Sequence, residues 1–166
     1  AEGSIFEVLN ATSVTGSFRS YEGLSYNGGR LVPIQTPSAL LLVATTIPTG
    51  GVTFSTRTHD EGLALASFFA NGSSSVTLSG SLNVLDQQIT AILQLSRRSA
   101  TPTTPAVTII SATEISLQLS GSTGNLVSAD AELGIILLSA DGMAADISVN
   151  VSESLEPLSF AGTFSL

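Results

Sequence analysis

Val76-Thr77-Leu78-Ser79-Gly80-Ser81-Leu82-Asn83-Val84 sets apolar or small residues at every second position, with polar residues between them. A period of two sends alternate side chains to opposite faces, which marks a half-buried β-strand. The same alternation returns around it. Ile89, Ala91, Leu93 and Leu95 alternate with Thr90, Ile92, Gln94 and Ser96. Ile115, Leu117 and Leu119 alternate with Ser116 and Gln118. Ala145, Ile147, Val149 and Val151 alternate with Asp146, Ser148 and Asn150. Phe160, Gly162, Phe164 and Leu166 alternate with Ala161, Thr163 and Ser165, so a strand is expected at the end of the sequence.

Other runs are apolar at consecutive positions: Leu40–Val43, Leu63–Phe69 and Ile135–Leu138. They read as strands covered on both faces or held in a subunit contact. Ile5–Leu9 and Val14–Phe18 are expected to form an N-terminal strand or hairpin, and Val52–Thr56 and Val107–Ile110 two more strands. Turn signals rich in Gly, Asn and Asp separate these runs at Asn27-Gly28-Gly29, Pro48-Thr49-Gly50-Gly51, Asn71-Gly72-Ser73, Asp86-Gln87-Gln88, Gly121–Asn125 and Asp141-Gly142. Gly28–Ser38 and Arg97–Pro105 read as longer loops, because their prolines block strand pairing. No helix is expected: Glu61–Ala66 offers at most one turn, and the paired Phe68 and Phe69 favour a strand. The fold class is therefore all-β: an antiparallel β-sandwich of jelly-roll type with about ten short strands, or alternatively a closed antiparallel β-barrel.

Composition narrows the function. The chain has 166 residues, 43% of them apolar, which suits one domain over 1–166 with a real core. Charged residues are only 11%, the five basic ones are all arginine, and the net charge is −8. So few cations exclude a large basic patch, and with it nucleic acid as partner. The longest apolar run, Ala39–Ala44, is far too short for a membrane-spanning helix. Cysteine is absent, which removes disulfides, thiolate metal sites and cysteine nucleophiles. The sequence opens Ala1-Glu2-Gly3 without methionine and without a basic segment followed by an apolar one, so the expectation is either a leader already cleaved or an initiator methionine trimmed before Ala1. Serine and threonine supply roughly a quarter of the residues, well above ordinary usage. Ordering these short side chains costs little entropy, so a surface made of them suits close contact with other surfaces.

Sites for bond chemistry are sparse. His59 stands alone in Thr58-His59-Asp60-Glu61-Gly62, no Gly-x-Ser-x-Gly elbow surrounds any serine, and His59 reads as an exposed turn residue. The acidic pairs Asp130/Glu132, Asp141/Asp146 and Glu153/Glu156 match no calcium loop. Tryptophan is absent, which disfavours sugar-stacking platforms. Asn10, Asn71 and Asn150 open Asn-x-Ser/Thr triplets, of which Asn71, in a turn, suits a glycan best. Tyr21, Glu22, Tyr26 and Arg30 form the densest aromatic and polar cluster. Tyr21, Tyr26 and Arg30 of this cluster make, with Arg97 and Arg98, the candidate contact patch, since interfaces favour Tyr and Arg. In composition alone the chain resembles viral jelly-roll surface domains and fibre subunits.

The expected function is thus non-enzymatic and structural, with no catalytic residue, cofactor or metal. The chain reads as a subunit or surface domain of an ordered assembly, such as a capsid or decoration protein or an extracellular fibre. It would be extracellular or on a virion surface. Its partners would be copies of itself, with a host receptor or glycan as a further one. The alternatives are a secreted adhesion module and a β-barrel that binds a small ligand.

Overall fold

The structure is a computed structural model. It describes residues 1–16, 18, 21–49, 51–72, 74–84, 87–121, 124–139, 142–155 and 158–165. Within these, side chains are described except at 71, 84, 87, 117–121, 124–133, 147–155 and 158–165.

Eleven strands and one helix make up the described chain. They are β1 (Ile5–Asn10), β2 (Ser25–Tyr26), β3 (Gly29–Gln35), β4 (Ala39–Thr45), β5 (Thr53–Thr56), α1 (His59–Asn71), β6 (Ser75–Val84), β7 (Gln87–Arg98), β8 (Val107–Gly121), β9 (Gly124–Ser139), β10 (Gly142–Leu155) and β11 (Leu158–Ser165). The all-β expectation holds. The strand pairing, however, draws one sheet in the order β1-β4-β3-β5-β6-β7-β8-β9-β10-β11, with β2 added beside β3. Pairing therefore supplies neither the two sheets of a sandwich or jelly roll nor the closure of a barrel. The shortness of the links explains why. The closing pairs Val84↔Gln87, Gly121↔Gly124, Ser139↔Gly142 and Leu155↔Leu158 each leave two residues of chain between strands. Links that short put consecutive strands side by side and build a meander.

The strands are also longer than expected, up to 16 residues in β9. Val107–Ile110 and Ile115–Leu119 look like two strands because the apolar phase changes between them. They are one strand, β8. Its buried residues pass from Ile110 and Ala112 to Ile115 through a bulge opposite β7, where Thr90 pairs with Ser116 but Ile92 with Thr113. The extra residue restores the core face after an odd step. Glu114 absorbs the bend at φ 52, in the left-handed region.

The main correction is the helix. Leu63–Phe69 is not a strand but the centre of α1, which is 13 residues long. Gly62, Leu65, Ala66 and Phe69 stand at i, i+3, i+4 and i+7, and all four are buried, as is Phe68. Burying Leu65, Phe68 and Phe69 contributes about 1.5–3 kcal/mol each. This outweighs helix-propensity penalties of roughly 0.5 kcal/mol per Phe and about 1 for Gly62. Thr58 and Glu61 close the start as a capping box: Thr58 Oγ1 accepts from the Glu61 N–H at 3.1 Å, and Glu61 Oε2 accepts from the Thr58 N–H at 3.1 Å. Glu61 Oε1 also accepts from the Ser79 N–H of β6 at 2.8 Å, so one carboxylate fastens the helix to the sheet. At Gly62 an added Cβ would collide with the Thr36 methyl, so glycine lets the helix lie close against the β3–β4 turn. Gly72 ends the helix at φ 64, ψ 32, with its N–H on Phe68 O. Asn71 is thus the last helical residue, not part of a turn.

Two loop expectations are also revised. Gly28–Ser38 contains strand β3, with Pro33 inside it. The Leu31 N–H points away from β4, toward Leu24 O. Pro33, two residues on, faces the same side, and the parallel pairing with β5 begins only at Ile34. The missing donor therefore interrupts no ladder bond. Arg97 and Arg98 belong to β7, and the loop that follows is 99–106. At the other end, β1 pairs with β4, and no strand covers the described residues of 14–18, so the expected N-terminal hairpin does not form.

One face of the sheet carries the core: Val32, Ile34, Leu41, Val43, Phe54, Leu78, Leu82, Leu93, Leu95, Ile110 and Ile136, with the ring pair Phe54–Phe69 at 5.5 Å. Helix α1 covers its β3–β6 side. The β4–β5 connection reaches over to β8, where Thr108 Oγ1 donates to Pro48 O at 2.7 Å. β4 is buried on both faces, as its apolar run implies. β9 is not: Ile136 and Leu138 are buried, while Ile135 and Leu137 are exposed.

Two stability outcomes follow from these local features. Glu61→Ala should lower stability by about 1–3 kcal/mol, because buried and capping donors lose a charged acceptor. A urea melt with unchanged slope checks this, and Glu61→Gln should lose less. Glu114→Gly should raise the melting temperature and Glu114→Val should lower it, since positive φ costs a non-glycine residue about 1 kcal/mol or more. Equal melting temperatures for these two variants would contradict the strained bulge.

Candidate binding site at the hairpin of β2 and β3

The turn Asn27-Gly28 joins β2 to β3 in the register Ser25↔Arg30 and Tyr26↔Gly29, with Gly28 at φ 77. The Tyr26 ring lies across Gly29, where an added Cβ would stand 2.5 Å from it. Tyr26 is therefore engaged in closing the hairpin, although it stays 39% exposed. Leu31 N–H donates to Leu24 O at 2.7 Å and holds the preceding segment against β3.

A cavity of about 320 Å³ opens between this hairpin and the β4–β5 connection. Tyr21, Ser25, Arg30, Leu31, Thr49 and Val52 line it. Arg30 donates through Nη1 to Thr49 Oγ1 at 3.3 Å, and Thr49 is buried. No carboxylate among the described residues forms an ion pair with Arg30. Tyr21 is half-buried against Phe18, with ring centroids 5.6 Å apart, and burial raises its phenol pKa above the ordinary 10.0. The phenol is thus a neutral hydrogen-bond donor at all ordinary pH values.

Of the five patch residues expected from sequence, Tyr21 and Arg30 line this cavity, while Tyr26 stands on the hairpin outside the lining. Arg97 and Arg98 stand elsewhere, at the end of β7. Arg97 N donates to Ser74 O, and its Nη1 lies beside Gly72, 2.8 Å from where a Cβ would be. A cation there faces the negative end of the α1 dipole. Arg98 is exposed, opposite Val107. Thr49 and Ser25 complete the site but carry no sequence signal: Thr49 reads only as a turn residue, and the pairing that seats both is tertiary.

His59 is not a turn residue but the first residue of α1, half-buried, with Nδ1 3.4 Å from Thr36 Oγ1. That hydroxyl also accepts from the Ala39 N–H at 2.8 Å and so serves the β3–β4 turn. Among the described residues, no three of His, Cys, Asp and Glu are grouped to hold a metal ion. Among the described residues no helix is long and apolar enough to cross a membrane. The side chains of Asp130, Glu132, Asn150 and Glu153, and residues 141 and 156, lie outside the description, and so do the calcium pairs they form. Asn10 ends β1 and is exposed. Comparison with known proteins finds no matching family model, no matching curated protein and no matching solved structure.

Titration of the two phenols by absorbance offers a direct check. A raised folded-state pKa stabilises the fold fully below the unfolded value near 10, and that contribution is lost as pH climbs through the folded value. One phenol should therefore titrate above 10.0, and Tyr21→Phe should remove that late step. The late step surviving in Tyr21→Phe would place the buried phenol elsewhere.

Proposed function

We propose that this protein is a non-enzymatic structural subunit that works by joining copies of itself through its sheet edges, as part of an extracellular or virion-surface assembly. The observation that carries this reading is the position of β1 and β11. Among the described residues they are the two unpaired edges of the sheet. A free edge presents unpaired N–H and C=O groups and templates strand addition unless it is guarded. β1 is weakly guarded. All six of its residues are exposed, Phe6 by 47% and Val8 by 53%, and its one charge is Glu7. A bulge between Glu7 and Leu9 is its other defence.

The pairings also say how copies can join. Following the strand directions across the sheet, β1 and β11 run the same way. Translation of one copy would set β11 parallel to the next β1. A two-fold axis sets β1 against β1, or β11 against β11, in the stronger antiparallel ladder. One such contact closes a dimer, and the two used in turn extend without limit. The low-charge Ser/Thr surface favours close approach, while the net charge of −8 opposes it and makes association rise with salt.

Light scattering across concentration tests this reading. Mass should grow with concentration and with salt, and Phe6→Lys combined with Val8→Lys should reduce the growth to dimers at most. A strictly monomeric wild type at millimolar concentration would overturn the proposal.

A further inference from the structure

We infer that the cavity beside the β2–β3 hairpin is a carboxylate-binding subsite, in which Arg30 grips the anion, Tyr21 donates to it and Thr49 positions Arg30. Four observations converge. First, Arg30 is partly buried at the cavity wall and spends one donor on Thr49, leaving the rest of its guanidinium fork unmatched by any described carboxylate. In a chain with 13 acidic residues and five arginines, an unmatched fork in a recess is not for want of acids. Second, the Thr49 hydroxyl accepts from Nη1, so the fork is held at one end and oriented before any ligand arrives. Third, Tyr21 lines the same cavity, and burial raises its phenol pKa, so it is a neutral donor to an anion and not a rival charge. Fourth, about 320 Å³ holds a carboxylate with a short apolar tail, and Leu24, Leu31 and Val52 supply the apolar wall.

The planar fork of arginine matches a carboxylate through two parallel N–H···O bonds. The same group can come from a free small acid or from an Asp or Glu side chain on a second copy of the chain. The subsite stands on the cavity and not on the sheet edges. A monomer that binds carboxylate would refute the assembly proposal and keep this one, and an assembly blind to carboxylate would do the reverse.

The chain has no tryptophan and two tyrosines, so tyrosine fluorescence reports on the site directly. Benzoate is the probe, and benzamide, its neutral counterpart of the same shape, is the control. Benzoate should give a saturable change with millimolar affinity, while benzamide should bind at least about tenfold more weakly, because it brings no charge to the fork. Arg30→Gln should lose benzoate affinity by at least about tenfold, and Arg30→Lys should fall between, as a point charge without the fork. Thr49→Val should weaken binding severalfold with the charge intact, and helical circular dichroism should confirm that each variant folds. Equal affinity for benzoate and benzamide, full affinity in Arg30→Gln, or no saturation by wild type would each overturn the subsite. Light scattering with added benzoate separates the two sources. Loss of association identifies an acidic side chain of a second copy as the occupant, and unchanged association with saturable binding identifies a free acid.

Discussion

A single open sheet has one face that must be kept dry, and in this protein the carboxylate of Glu61 holds the cover in place. It closes the first turn of α1 against Thr58 and takes the Ser79 N–H of β6. Removing that acceptor would leave donors at the helix start and on the strand without partners. The helix could not then lie so close to the sheet, and Leu65, Phe68 and Phe69 would lose the surface they fill. The close approach has a second requirement, the missing side chain of Gly62 above Thr36. Cover, core and the β3–β4 turn are thus one cooperative unit.

The cover is short, and this governs the rest of the molecule. A 13-residue helix spans about 20 Å at 1.5 Å per residue. That is enough for β3 to β6, with the β4–β5 connection extending the roof to β8 through Thr108. Beyond it, Met143 of β10 pairs with buried Leu138 and shares its face, yet Met143 is exposed. The same connection that roofs β8 carries Thr49 to the mouth of the hairpin cavity. Core closure and the candidate subsite therefore share one segment, and a change at residues 46–52 acts on both.

The open sheet also frames how assembly and binding relate. The proposed edge pairing would use backbone groups of β1 and β11 and ask little of side chains. The hairpin cavity uses three particular side chains and nothing of the edges. The two features lie on different parts of the sheet, so one chain can carry both. Each has its own electrostatics. In the proposed assembly salt would relieve the mutual repulsion of acidic copies, and in the proposed subsite it would weaken the grip of Arg30 on an anion.

By itself the sequence determined what depends on local pattern: strand after strand from period-two alternation, and the turn at Asn27-Gly28 that leads into β3. The signals for α1 were also there, in Thr58-x-x-Glu61 and in Gly62, Leu65, Ala66 and Phe69, but the Phe pair and the β-rich surroundings outweighed them. The phase change in β8 looked like a break because a periodicity shows the shift that the bulge at Glu114 makes but not the strand continuing through it. What only the tertiary structure decided was which strands pair, and so that they form one sheet and leave β1 and β11 at its edges. It also decided that Thr49 meets Arg30 across 19 positions of chain. Alternation tells a side chain which face to take but names no partner strand, because every half-buried strand offers its neighbours the same ladder of backbone donors and acceptors.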